Sequence, residues 1–403
     1  MILRLIAKNT VFLTSAEFAI KALALAFNFI LVRLISVASY GDYNLINAFV
    51  AVFSFLPDLG VNLITIRDLS AHPNRFSQLL GQTLVVNIVF SLVSFLSIIL
   101  LFPVYTSQSH LLSLTVLAAL TLVVTSLRTV AKLGFDAGAK MHISAGFTLL
   151  NSLSATGGSL IGFYFTRTLT GLFLGNLLGA TLSLLLEWTI AIKFFTWPKL
   201  VFRLKSLLPL IKQGLPLSLA AATALITSRL DTLLIGKFLT AREVAWYTSA
   251  QILIFSAIQL INVPLMVASY PALGQVAHSS TKLKSLTLKL MTIILIWTGL
   301  FTLFTWMLAQ PIILLSFGPA YLPAVPTLKL LSLLVPFAAL SALMYKILII
   351  THRQQLYLAI SSLGLVISLA ANVFFIPKLG ITGAAISAVI TNLSLFIIYA
   401  LSI

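Results

Sequence analysis

Seven ionisable side chains lie inside stretches of this chain that are otherwise apolar: Glu17, Lys21, Asp58, Arg128, Arg229, Asp231 and Lys329. Arg229 and Asp231 are the most informative. They stand near the middle of residues 214–239, GLPLSLAAATALITSRLDTLLIGKFL, which exceeds the roughly 20 residues that cross a bilayer. A charge at that depth costs roughly 2.5–3.5 kcal/mol on insertion scales, so it persists only beside water or a partner. Two positions apart on one helix, the two groups point to different faces and do not neutralise each other. Arg229 shares its face with Ala222, Ile226 and Thr232, and Asp231 with Thr227 and Ser228. The spacing points to a helix lining a polar, partly cationic chamber. The plainer alternative is a salt bridge that only holds helices together.

The other five extend the pattern. Glu17 and Lys21 are spaced i,i+4 in the favourable order for a pair on one helix face. Asp58 lies in Pro57-Asp58-Leu59-Gly60, where proline removes a backbone donor and can bend a helix. Arg128 and Lys329 add cations in two further apolar runs, while Glu187 falls near the end of its run, where snorkelling or a surface pair is expected. Four interior cations (Lys21, Arg128, Arg229, Lys329) against three anions (Glu17, Asp58, Asp231) favour an anionic substrate. Arginine suits phosphate because its planar fork donates two parallel hydrogen bonds. The three acids could hold the proton or sodium ion that resets a carrier. Set against this is a compensated set of structural pairs with no substrate role.

Other motifs carry less. Gly171, Gly175 and Gly179 repeat every fourth position and serve close helix packing. Asn28, Asn262, Asn372 and other amides within the runs serve interhelical hydrogen bonds, and some could meet sugar hydroxyls. The five histidines lie in loops or near run ends and none pairs at metal-ligand spacing. Without a phosphate-cradling glycine loop or a nucleophile elbow, the chain is read as neither an ATPase nor another enzyme, and no cofactor or metal is expected.

The elements that must position these groups follow from composition. Of 403 residues, 60% are hydrophobic and 8% charged, far from the roughly 25% charged of soluble domains. Cysteine is absent, which excludes disulfides and thiolate chemistry. The net charge of +17 sits in short connections between apolar runs, so it reads as orientation in a membrane and not as nucleic-acid binding. Twelve spans are expected: 11–36, 43–66, 80–103, 111–132, 143–165, 169–194, 212–239, 244–270, 285–309, 323–350, 354–376 and 379–402. Lys and Arg concentrate in alternate connections, which places both termini in the cytosol. A weak repeat relates Arg33 to Lys237 and Tyr43 to Tyr247, both 204 positions apart. Two six-helix halves follow, 1–200 and 201–403, joined by a basic linker, and paired repeats of this kind place a substrate site between them.

The whole chain resembles the Wzx-type oligosaccharide and polysaccharide flippases of the multidrug/oligosaccharidyl-lipid/polysaccharide exporter superfamily. The resemblance rests on Arg33 with Tyr40-Gly41-Asp42-Tyr43 and on Asp58-Leu59-Gly60. It rests also on residues 231–236, on VAWYTSA at 244–250, LLSFGPAY at 314–321 and NVFFIPKLGITGAA at 372–385. It implies an all-α integral membrane protein with twelve transmembrane helices in two six-helix lobes, V-shaped, as a parallel pseudo-repeat. It also implies flipping of an undecaprenyl-diphosphate-linked oligosaccharide across the bacterial inner membrane by alternating access. O-antigen, capsule or exopolysaccharide assembly would be served, alongside other polysaccharide-assembly proteins and membrane lipids.

In that reading Arg229, with Arg128, Lys329 and Lys21, holds the diphosphate while the prenyl tail stays in lipid. An inside-negative potential helps export of anions by about 2.3 kcal/mol per charge per 100 mV. The nearest alternative is a multidrug or small-cation exporter of the same superfamily, whose chamber should be net acidic. A membrane glycan polymerase or ligase is a third, and it would be expected to need a longer outer loop than any here.

Overall fold

The computed structural model describes all residues except 1, 107, 139, 196, 201, 277, 278, 352 and 403. Side chains are described for these except at 2–14, 73, 204, 261–272, 280, 354, 355, 357 and 358, so Asn262, His278 and His352 lie outside the described residues. All regular structure among the described residues is helical. The order is α1 (Ile2–Leu34), α2 (Val37–Val52), α3 (Val61–Ala71), α4 (Phe76–Tyr105), α5 (His110–Ala137), α6 (Met141–Thr166) and α7 (Leu169–Phe194). There follow α8 (Leu204–Phe238), α9 (Ala241–Val276), α10 (Ser280–Ser316), α11 (Val325–Ser332), α12 (Leu334–Ile350), α13 (Gln354–Leu379) and α14 (Ile381–Leu401).

Ten of the expected spans are single helices, and the second and tenth are each split in two. The second breaks where proline and glycine demand it. Leu59 and Gly60 adopt left-handed φ values of 45° and 72°, and α2 and α3 flank the irregular segment. The expected bend is therefore a full interruption. The tenth is split between a 3-10 turn at Pro319–Ala324, α11 and α12, with Pro319, Pro323 and Pro326 at its start. Among the described residues, nine segments are long and apolar enough to cross a membrane. Of the other three expected spans, the second is broken, the fifth is rich in glycine and serine, and the eighth includes side chains outside the description.

By contacts the chain divides into two units, Met1–Asn28 with Ile46–Ala222, and Phe29–Leu45 with Thr223–Ile403. In the first unit α6 and α7 pack closely along facing glycines. A Cβ on Gly158 would stand 2.3 Å from the Gly175 carbonyl oxygen, and one on Gly175 would stand 2.0 Å from that of Gly158. The helices therefore meet backbone to backbone, as small residues permit in lipid. The first half of α8 packs against the break in the second span: a Cβ on Gly60 would meet the Gly214 carbonyl oxygen at 2.3 Å. Asp58 caps α3 here, its Oδ1 accepting the Asn62 N–H at 2.8 Å.

In the second unit α13 and α14 pair, and α12 packs on α14, α9 and α10. Its core gathers Leu340, Leu343, Met344, Ile347 and Leu348 with Leu273, Ile294 and Tyr399. Residues 29–45 dock on the same unit. Arg33 Nη2 donates to the Leu315 carbonyl at 3.0 Å, Phe29 meets Phe317 edge-on, and buried Tyr40 meets buried Tyr321. Outward-facing residues such as Leu100, Val104, Phe165, Met307 and Leu315 are apolar and exposed, as contact with lipid requires.

Candidate functional site

The site is built on α8. The i, i+3, i+4, i+7 stripe of Ala224, Thr227, Ser228 and Asp231 lines a cavity of about 420 Å³ that lies wholly within the second unit. Asp231 is buried, 7% exposed. Tyr247 of α9 donates its hydroxyl to Asp231 Oδ2 at 2.6 Å, and Asn372 of α13 donates its Nδ2 to Oδ1 at 2.8 Å. Two short donors from two helices fix the carboxylate without a countercharge. Nearby, Thr232 donates to Gln251 Oε1 at 3.5 Å. Gln251 Nε2, Asn372 Oδ1 and the Ser341 hydroxyl are buried without a partner among the described residues. Unfilled hydrogen-bonding capacity at a polar cavity is what a ligand or water satisfies.

The rest of the wall comes from helices packed around α8. On α12, Ala338, Ser341, Ala342 and Tyr345 face the cavity; on α14, Thr391, Asn392 and Tyr399 do; α13 contributes Ser361 and Ser368. Asp231 is the one charged residue of this lining.

Arg229 leaves α8 on another face. It is exposed, does not line this cavity, and makes no ion pair or hydrogen bond among the described residues. The divergence expected from the two-residue spacing is what the helix shows.

The other predicted residues fall apart into separate settings. Arg128 is buried, and its Nη1 donates to Glu187 Oε1 and Oε2 at 3.0 and 3.1 Å. Glu187 is fully buried and accepts a further bond from Ser183 at 2.9 Å. The expected surface or snorkelling position of Glu187 is thus overturned: the α5–α7 seam encloses it because Arg128 supplies its charge partner. Arg128 is in turn spoken for by that pair, although its Nε is left without a partner. Lys329 lies over the Trp306 ring at 5.7 Å, on the side of α10 that carries exposed Leu303 and Met307, as a lysine laid along apolar surface does. Glu17 and Lys21 are both exposed in the first unit, and the i,i+4 pair their spacing allows is not closed among the described residues. Asp58 is half-buried and engaged in capping α3.

Asn372 makes the interhelical hydrogen bond expected of the amides, and Tyr247 is the tyrosine of the repeat, but the sequence tied neither to Asp231. The available signal was that both lie in segments quoted above for a family resemblance, Tyr247 in VAWYTSA and Asn372 at the head of NVFFIPKLG.

Comparison with known proteins agrees with this architecture. A family model described as polysaccharide biosynthesis protein matches residues 30–326. No curated protein sequence matches significantly. Among solved structures, the chain is similar to the lipid II flippase MurJ in an inward closed conformation. The TM-score is 0.80 at 13% identity, covering 97% of this chain and 87% of that one. It is similar to an inward-facing multidrug resistance MATE family transporter of the MOP superfamily, with TM-score 0.71, 15% identity and coverage of 95% and 93%. A MOP superfamily transporter from Pyrococcus furiosus, in a structure titled for the reversed polarity of its binding pocket, gives 0.68, 13%, 99% and 94%. At 13–15% identity these matches show a fold shared with this chain.

Proposed function

Because this chain belongs to the polysaccharide biosynthesis protein family, we propose that it carries a polyprenyl-diphosphate-linked oligosaccharide across the bacterial inner membrane by alternating access. Surface polysaccharide assembly is the pathway this serves, with both termini in the cytosol. The halves 1–200 and 201–403 are the sequence repeats, and the fold is that of MurJ and the MATE transporters, a flippase and transporters.

One observation carries the reading: Arg229 is an exposed guanidinium deep in an apolar helix, with no ion pair or hydrogen bond among the described residues. Lipid does not support a bare cation there, so the group faces water or an anion that arrives. A diphosphate is the anion in a lipid-linked glycan, and the arginine fork matches it. Lys21, exposed on α1 and without an ion pair among the described residues, is a second contributor. Arg128 and Lys329 serve packing instead, as their partners dictate. Asp231, held by neutral donors alone, is the group that takes a coupling proton or sodium ion.

The test is Arg229→Glu in a strain that depends on the protein. Loss of polymer export with normal protein level, and lipid-linked glycan retained on the cytosolic face, is the expected result. Unchanged export removes Arg229 from the substrate path. A small-cation exporter is the second reading, favoured by Asp231 being the one charge that lines the cavity. It predicts cation efflux from proteoliposomes that Asp231→Asn abolishes and that lipid-linked glycans do not inhibit.

A further inference from the structure

The cavity of the second unit has two unlike ends. Near one end α8, α9 and α13 bring Asp231, Tyr247 and Asn372 together. Near the other, Ser361 and Tyr399 share a hydrogen bond at 3.3 Å, and Lys346 Nζ covers the Tyr345 ring at 5.3 Å. The α12 wall runs from Leu334 to Tyr345, eleven residues on, which is about 16 Å at the helical rise. A slot of that length and about 420 Å³ falls within the roughly 300–1,000 Å³ of small-ligand pockets.

Its chemistry is specific. Hydroxyls and amides dominate the polar lining: Thr227, Ser228, Ser341, Ser368, Thr391 and Asn392. Thr227, Ser228 and Thr391 donate to carbonyls of their own helices and so present acceptor oxygens, while Asn392 gives one amide N–H to Ala388 and keeps the other with its carbonyl, a mixed set that suits sugar hydroxyls. The Ser341 hydroxyl is buried and has no partner among the described residues. Among the described residues no lysine or arginine lines the slot, and the one charge of its lining is the carboxylate of Asp231.

We propose that this slot is a glycan subsite that accepts uncharged sugar residues and rejects acidic ones. The inference rests on the transport reading above. Lys346 lies outside the lining, so a sugar carboxylate would meet no cation among the described lining residues and would share a low-dielectric site with the Asp231 carboxylate, both unfavourable. An N-acetylated or plain hexose meets neither cost.

The experiment uses the purified full-length protein in lipid nanodiscs and three synthetic probes of equal prenyl length. One is a sugar-free prenyl diphosphate, one carries N-acetylglucosamine, and one carries glucuronic acid. Titration is expected to show the neutral sugar binding more tightly than the sugar-free probe, and the acidic sugar about tenfold or more weaker than the neutral one. Asp231→Asn is expected to narrow that gap. Ser341→Leu and Asn392→Leu are expected to bring the affinities of the neutral-sugar and sugar-free probes together, each variant being checked as monodisperse. Equal affinity for the neutral and acidic probes overturns the subsite. So does a sugar increment that survives in both leucine variants. If none of the three probes binds, the transport reading itself falls, which is a different outcome from diphosphates binding without regard to the sugar.

Discussion

Two carboxylates show how differently the chain treats buried charge. Glu187 has a guanidinium partner and a serine; Asp231 has a phenol and an amide. Removing one member of an enclosed ion pair strands the other, so Arg128→Met or Glu187→Leu alone should cost roughly 3–5 kcal/mol, and the double substitution far less. Thermal melting in detergent checks this; a double variant that loses as much as the two single variants summed would mean the pair is not coupled. Tyr247→Phe and Asn372→Leu should each remove about 1 kcal/mol of stability. They should lower transport much more than stability, because Asp231 then sits in the cavity with one donor missing. Transport rate against melting temperature separates the two effects. The sequence made the divergence of Arg229 and Asp231 legible, since helical periodicity is local. It hid the partners, because Asn372 lies 141 positions from Asp231 and no period links them.

At the scale of elements, glycines decide which helices touch. Gly175 and Gly158 face each other across α6 and α7, whereas a Cβ on Gly157 meets nothing within 4 Å. Gly175→Ala should therefore reduce folded yield, because backbone must move to admit the methyl group. Gly157→Ala should be neutral or slightly stabilising, since alanine favours helix by roughly 1 kcal/mol. Size-exclusion profiles and melting temperatures of the two variants give the comparison. The every-fourth-residue glycines announced this seam in the sequence. The split of the tenth span was less visible, although Pro323 and Pro326 stood at its start, because a hydrophobic run reads the same whether its helix is continuous or interrupted. The second span gave a clearer sign in Pro57 and Gly60, and there the left-handed backbone at Leu59 and Gly60 completes the break.

For the whole molecule, apolar runs and turn residues located twelve spans, since both signals are written locally. Which segment contacts which was not written there. Residues 29–45 belong by contact with the C-terminal part of the chain, and the first half of α8 belongs with the N-terminal part. That exchange bears on complementation. A gene cut between codons 200 and 201 would yield two polypeptides, each carrying a segment that the other needs. Produced singly, both should be degraded; produced together, they should co-purify and restore export. Stable accumulation of either piece alone would show that the borrowed segment is dispensable, whereas strict mutual dependence would make the halves a pair that neither evolution nor an engineer could exchange one at a time.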